Sequence, residues 1–153
     1  MYNGTPILIL LIEDDPAHAE IVFRRMADRR LANRIIHVQD GQEGLDYLEG
    51  KNVYAPPAEA PRPDLILLNL RLPRVDGLEV LRRIKSNVDI SAIPVVVLTT
   101  SEAEDDVVKA YGHGASSYLV KPVDFDKFTK LLELLGFYLL AWNQFPYADR
   151  PPG

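Results

Sequence analysis

The sequence contains no cysteine, which excludes disulfide scaffolds, thiolate metal sites and cysteine nucleophiles. Its three histidines, His18, His37 and His113, show no metal-ligand spacing, and each reads as a surface or loop residue. Long apolar runs are missing too. The longest strictly apolar stretches, Ile7 to Ile12 and Phe137 to Trp142, have six residues each. The wider segment Leu131 to Trp142 includes Glu133 and is too short to span a bilayer. Met1 to Thr5 carries no charged side chain, unlike the basic start of an export signal, so a cytoplasmic protein without membrane contact is expected. There is no basic excess: 17 Lys and Arg face 22 Asp and Glu, a formal charge of −5. That balance argues against a nucleic-acid-coating protein and is too mild for a disordered acidic tail. No internal repeat and no glycine-rich phosphate cradle are visible.

What is present is one ordinary domain's worth of chain. It has 153 residues, 47% hydrophobic and 25% charged, enough for a single core. Ile7 to Ile12 is a continuous Ile/Leu run closed by Glu13, Asp14, Asp15 and Pro16. An uninterrupted apolar strand signals burial on both faces, the habit of parallel sheets. Pro16 suits a first helical turn, and Ile21, Val22 and Met26 follow at helical spacing. Arg34 to Val38 is a second strand, with Asp40-Gly41 marking the turn after it. Leu45 and Leu48 belong to a second helix ending near Gly50. Leu65 to Leu68 is a third strand, ending at Asn69. Leu72-Pro73 and Asp76-Gly77 then precede a helix carrying Leu78, Leu81 and Ile84. Ile93 to Leu98 forms strand four, and Ala103 to Tyr111 a fourth helix with acids at its start, where the helix dipole favours them. Gly112 and Gly114 end it. Ser117 to Val120 is strand five, and a last helix runs from Asp124 to Leu140. Five strands alternating with helices predict an open, doubly wound parallel α/β sheet with helices on both faces.

Residues 50 to 63 break this rhythm. Gly50, Pro56, Pro57, Pro61 and Pro63 crowd the segment, so it reads as loop with no helix. It is an insertion rather than a domain boundary, because neither side could complete a sheet alone. The organisation expected is a domain over 1–140 followed by an aromatic and proline-containing tail over 141–153.

In open parallel sheets ligands bind outside the carboxyl ends of the strands. Glu13, Asp14, Asn69, Thr99, Thr100 and Lys121 each follow an apolar run directly, so all should project from one rim. Adjacent carboxylates repel unless a cation or a lysine offsets them, which suggests a Mg²⁺ site of hard oxygen ligands. The same residues carry a resemblance. Glu13-Asp14 after strand one, Leu72-Pro73 and Asp76-Gly77 after strand three, Thr99 after strand four and Lys121-Pro122 after strand five are similar to the motifs of receiver domains of two-component response regulators. The interval from 69 to 99 is 30 residues and that from 99 to 121 is 22, as that family has them.

The resemblance covers about residues 5 to 140. It implies the flavodoxin-like (CheY-like) (βα)5 fold with strand order 2-1-3-4-5. It also implies that Asp14 is a direct Mg²⁺ ligand, Glu13 a water-mediated one, and the backbone carbonyl of Arg71 a third. Thr99 resembles the switch hydroxyl, and Lys121 the lysine that pairs with the acceptor and then with the phosphoryl group; its bond to Pro122 is expected to be cis. Tyr118 matches the aromatic position that reports activation, or is simply a half-buried tyrosine on an edge strand.

Where the family carries its phosphate-accepting aspartate, this chain has Asn69. A neutral carboxamide has no anionic oxygen to attack a phosphohistidine. The change also removes one negative charge from the metal site. At a few ångströms and an effective dielectric near 20, that is worth about 4 kcal/mol gross. The expectation is absent phosphorylation and weakened Mg²⁺ binding. Asn69 is either natural, in a receiver that signals without phosphorylation, or an engineered block in an otherwise intact site.

With no DNA-binding or catalytic output segment after residue 140, output is expected through the domain's own surface. The last helix has two apolar stripes. Phe125, Phe128, Leu132, Leu135 and Leu139 form one, and Leu131, Leu134, Tyr138 and Ala141 the other. One must cover the sheet. The second, with Trp142 nearby, offers a homodimer or partner contact beside the fourth helix and fifth strand, or is buried by the tail. The tail and the proline-rich loop resemble the small regulators paired with phytochromes and related hybrid kinases, which implies a sensor histidine kinase or phosphotransfer partner. Arg24, Arg25, Arg29 and Arg30 form a basic face on the first helix, either a docking surface or a solvated one. An enzyme on a related fold is the competing class, but a phosphohydrolase of that kind needs the strand-end aspartate that Asn69 replaces.

Overall fold

The computed structural model describes residues 7–27, 33–121, 126–127 and 130. Five parallel strands form one sheet: β1 (Ile7–Ile12), β2 (Asn33–Val38), β3 (Leu65–Leu68), β4 (Val95–Thr99) and β5 (Ser117–Val120), in the spatial order β2-β1-β3-β4-β5. Between them run α1 (Pro16–Ala27), α2 (Gly41–Glu49), α3 (Gly77–Ser86) and α4 (Glu104–Gly112). The order reverses beside β1, since β2 lies on one side of it and β3 on the other. This is the doubly wound, CheY-like arrangement, and it opens a crevice at the carboxyl ends of β1 and β3.

The central strands are apolar throughout because both faces are covered. Every residue of β3 and of β4 is buried. Side chains alternate across a strand, so Leu10, Ile12, Ile66, Leu68, Val95 and Val97 share one face and pack with Leu45, Val80, Leu81 and Ile84 of α2 and α3. Ile9, Leu11, Leu67 and Val96 point the other way and are also buried, as are Ala19 and Val22 of α1. β5, at the sheet's edge, is only partly buried along its length.

Three sequence readings change in position. Asp40-Gly41 is a helix start rather than a free turn. Asp40 accepts a hydrogen bond from the Glu43 amide at 2.8 Å, and the Glu43 carboxylate accepts one from the Gln39 amide at 2.9 Å. The Glu43 amide belongs to the unpaired first turn of α2, and the Gln39 amide lies just ahead of the cap, so the two bonds tie the helix start from both sides. Strand four begins at Val95, not Ile93, although Ile93 is buried. Pro94, between them, has no N–H to give a ladder and contributes only its carbonyl, which accepts from the Ile66 amide at 3.0 Å. α4 likewise starts one residue later and runs through Gly112, with the left-handed residue at Gly114 (φ +99°).

The loop over 50–63 contains one short element, a single 3-10 turn at Asn52–Tyr54 ahead of the prolines. It is docked against α2 by two tyrosines. Tyr54 meets Tyr47 edge-on at 5.1 Å between ring centres. The Tyr47 hydroxyl donates to the Pro61 carbonyl at 2.7 Å, and the Tyr54 hydroxyl to the Glu43 carboxylate at 3.1 Å. Burial, with that carboxylate beside it, pushes the Tyr54 phenol up to about 12.

The last helix, both of its apolar stripes, the tail and the Lys121–Pro122 bond lie outside the described residues, and with them the expected contact residues Leu131, Leu134, Tyr138 and Trp142. No helix among the described residues is long and apolar enough to cross a membrane.

Candidate functional site

Strand register brings the polar residues together. Ile12 at the end of β1 lies level with Val38 of β2 and Leu68 of β3, and Thr99 of β4 lies level with Val120 of β5. The next residues, Glu13, Asn69 and Lys121, therefore leave the sheet at one edge. Backbone bonds extend the ladder past the strands: Glu13 amide to Val38 carbonyl at 3.1 Å, Asn69 amide to Ile12 carbonyl at 3.0 Å, and Lys121 amide to Thr99 carbonyl at 2.7 Å. The start of α3 presses on the same place. A Cβ on Gly77 would lie 2.4 Å from the Asn69 carbonyl oxygen and 2.5 Å from the Leu70 Cα, so only glycine lets the helix approach the strand end this closely.

The side chains form a buried charge network. Glu13 is 2% exposed, Lys121 4% and Asn69 9%. The Lys121 ammonium donates to Glu13 Oε1, so each buried charge has a partner of opposite sign. Asn69 sits between the two acids: its Nδ2 donates to Glu13 Oε2 at 3.0 Å and to Asp14 Oδ1 at 3.0 Å. Asp14 itself is exposed. The repulsion expected between adjacent carboxylates is thus met twice, by an ammonium on one and by a shared amide on both.

Two neighbours were not singled out by their sequence. His18, in the first turn of α1, has Nδ1 3.0 Å from the Lys121 Nζ and 3.6 Å from Asp15 Oδ2. The reading of His18 as a bland surface residue is therefore corrected; the usable signal was its place one helical turn after a strand-end acid pair. Asp15 caps α1, accepting from the amides of Ala17 at 2.9 Å and His18 at 3.3 Å. Burial alone would push its carboxyl up, but those amides and the Lys121 charge outweigh it and hold it below its ordinary value. His37 is also not a free loop residue: it lies in β2 and its Nε2 is 2.7 Å from the Glu13 carbonyl oxygen.

Thr99 is fully buried, with the Ser101 amide 3.5 Å from its Oγ1. Tyr118, on the edge strand, is half-buried and packs against the core, and its hydroxyl donates to the Ser101 carbonyl at 2.9 Å. The description as a half-buried tyrosine on an edge strand therefore holds. Arg71, two residues past Asn69, sends its side chain away from the acids to Asp106 of α4 at 2.5 Å. Asp106 is buried to 6% exposure and also accepts from the Ser101 hydroxyl at 2.5 Å. The sequence presented Asp106 only as one of several acids at a helix start. On α1, Arg24 pairs with Glu20 at 2.6 Å in an exposed position; Arg29 and Arg30 of the expected basic face lie outside the described residues.

As a cation site the rim has the right donor type and a reduced charge. Glu13 and Asp14 offer carboxylate oxygens, Arg71 a backbone carbonyl, and Asn69 an amide oxygen if its carboxamide turns over. Among the described residues no group of three or more His, Cys, Asp or Glu side chains is placed to hold a metal ion. The residues fit a hard divalent cation in chemistry, with two anionic ligands and two neutral ones.

A five-stranded doubly wound sheet with an acid pair, a strand-end amide, a threonine and a lysine on its carboxyl rim defines a receiver-type signalling domain. The family model of the response regulator receiver domain matches residues 9–133, and the chain belongs to that family. It is 37% identical over 146 residues to response regulator Rcp1 of Synechocystis sp., across 95% of this chain and 97% of Rcp1. The Mn²⁺-bound crystal structure of Rcp1 superposes with a TM-score of 0.88, over 92% of this chain and 99% of that one. The phosphorylated cyanobacterial phytochrome response regulator RcpA, 34% identical, also gives 0.88, over 93% and 99%. A probable methanogenesis regulatory protein, FilR2 of Methanothrix harundinacea, is 41% identical over 146 residues, covering 92% of this chain and 88% of FilR2. The chain is thus a receiver domain related to phytochrome response regulators.

Proposed function

We propose that this chain is a cytoplasmic, non-enzymatic single-domain receiver whose rim does not accept a phosphoryl group and whose output is protein–protein contact. The receiver occupies 1–140, with the insertion at 50–63, and the tail 141–153. One observation carries the reading: Asn69 Nδ2 donates to Glu13 and to Asp14 at 3.0 Å each. An aspartate at this point would present an anionic oxygen to a phosphoryl donor. Asn69 presents a neutral amide already bonded to both acids.

The other roles follow from position. Asp14 and Glu13, with the Arg71 carbonyl and the Asn69 amide oxygen, would hold Mg²⁺; when bound, the ion supplies charge neutralisation. Its affinity is lowered because one of three expected charges is gone. Lys121 neutralises Glu13. Thr99 and Tyr118 belong to the switch: one is buried behind the rim, and the other is bonded to the loop that follows it. The partner is a sensor histidine kinase or phosphotransfer protein. Relatedness to phytochrome response regulators supports the phytochrome type. Self-association is proposed through the face of α4, β5 and the last helix, using Leu131, Leu134, Tyr138 and Trp142. A second reading, a phosphorylation-independent interaction module, is favoured by how fully the rim's charges are met without any added group.

The test is intact mass after incubation with a small acyl phosphate and Mg²⁺. No phosphoryl adduct is expected on this protein, and a stoichiometric one on Asn69→Asp. An adduct on the Asn69 protein at the same rate overturns the proposal. Partner binding unchanged by Asn69→Asp and phosphodonor selects the interaction-module reading.

A further inference from the structure

Arg71 lies in the loop after β3 and Asp106 in the first turn of α4, 35 positions further on, yet their side chains meet. Arg71 Nη2 and the Ser101 hydroxyl both donate to the same oxygen, Asp106 Oδ2, at 2.5 Å each. Ser101 Oγ in turn accepts from the Ala103 amide at 3.4 Å, at the entry to α4. The Ser101 carbonyl accepts from the Tyr118 hydroxyl at 2.9 Å, and the Tyr118 amide donates to the Tyr111 hydroxyl at 3.1 Å. A continuous chain of bonds therefore runs from the segment after β3, through the start of α4, to the edge strand. Tyr118 would swing free of the sheet only by giving up its bond to Ser101.

We propose that Asp106 is a positioning residue: with Arg71 it clamps Ser101, and through the Ser101 carbonyl it holds the Tyr118 ring inward, so that the α4–β5 face is set by an ion pair of the chain itself. The physical asymmetry supports this. The Asp106 side chain is 8% exposed and the Arg71 side chain 59%. A buried carboxylate needs its partners, whereas the exposed guanidinium is within reach of salt and of any docking partner. The clamp is thus firm on the inside and accessible from the outside. Displacing Arg71 leaves a carboxylate with less support at the point that fixes Tyr118.

The consequence for output rests on the phosphorylation-independent reading above, but the clamp has its own readout. Tyrosine-ring ¹³C NMR on the full chain, with the Tyr118 signal assigned by Tyr118→Phe, reports the ring's surroundings directly. In Asp106→Asn and in Arg71→Gln the fraction of Tyr118 in a second environment should rise at least fivefold, and the double variant should show no further rise, because both changes open one clamp. High salt should reproduce part of the Arg71→Gln effect and none of it in Asp106→Asn. Arg71→Lys should restore the wild-type signal partly, keeping the charge but not the planar geometry. If Asp106→Asn does not fold, Arg71→Gln decides alone, since its side chain lies on the surface. An unmoved Tyr118 signal in folded Arg71→Gln, or purely additive effects in the double variant, overturns the proposal. Neither outcome depends on whether Asn69 takes a phosphoryl group.

Discussion

The carboxyl rim of the sheet and the proline-rich loop before β3 handle their polar groups in different ways. At the carboxyl rim, Glu13, Lys121 and Asn69 bring charge into the interior and compensate it within a few ångströms. The loop is held by neutral phenol hydroxyls, Tyr47 on the Pro61 carbonyl and Tyr54 on Glu43. A network of buried charge is costly to assemble and gains from an added ion or proton, so it suits a site that responds. Phenol donors, one on a backbone carbonyl and one on a carboxylate, with the ring contact between them, bury no ion pair and suit an anchor. The difference separates a rim built around buried charge from a loop that is anchored by its tyrosines.

Removing one charge should break that contrast most strongly. Lys121→Met leaves the Glu13 carboxylate buried without its ammonium, and an uncompensated buried charge costs about 3 kcal/mol or more. Urea unfolding should show that loss. A loss below about 1 kcal/mol would mean the rim is wetter than its burial indicates.

Gly77→Ala comes next. Its methyl would sit 2.4 Å from the Asn69 carbonyl oxygen, forcing α3 away from the strand end at a cost of about 1–3 kcal/mol. The shift should also appear in the Asn69 side-chain amide NMR signals. Stability lost with those signals unmoved would separate helix packing from rim geometry.

At the loop the effects should be smaller and should stay local. Tyr47→Phe deletes one neutral hydrogen bond and should cost about 1 kcal/mol, with Mg²⁺ affinity unchanged. A change in cation binding would contradict the independence of the two regions. The last effect is confined to alkaline pH. The Tyr54 phenol is raised by burial and by Glu43 from 10.0 to about 12, so its neutral form is favoured in the folded state. The stabilisation this gives is fully present below pH 10 and fades as pH rises from 10 to 12. Tyr54→Phe should flatten that alkaline limb of the stability curve, measured by denaturant midpoint against pH.

Much of the scaffold was legible because its physics is one-dimensional. β1 and β3 fall at Ile7–Ile12 and Leu65–Leu68 as read, since strands buried on both faces become unbroken apolar words. The strand-end polar residues followed from those words by adjacency alone. What was not legible depends on distance across the fold. His18 looked ordinary until the turn of α1 set it against Lys121, 103 positions away. Asp106 was one acid among neighbours, and only the meeting of α4 with the segment after β3 gave it Arg71. Ile93 opens the apolar run of strand four, yet burial and ladder membership part company at Pro94.

The central claim is that Asn69 fills, with a neutral donor, the place where a cation and an anionic side chain would otherwise face Glu13 and Asp14. Calorimetric titration with Mg²⁺ of this protein and of Asn69→Asp tests it most directly. The account predicts that Asn69→Asp binds Mg²⁺ at least tenfold more tightly, a difference of about 1.4 kcal/mol and well inside the gross value of one unit charge at this range. Equal affinities in the two proteins would contradict it.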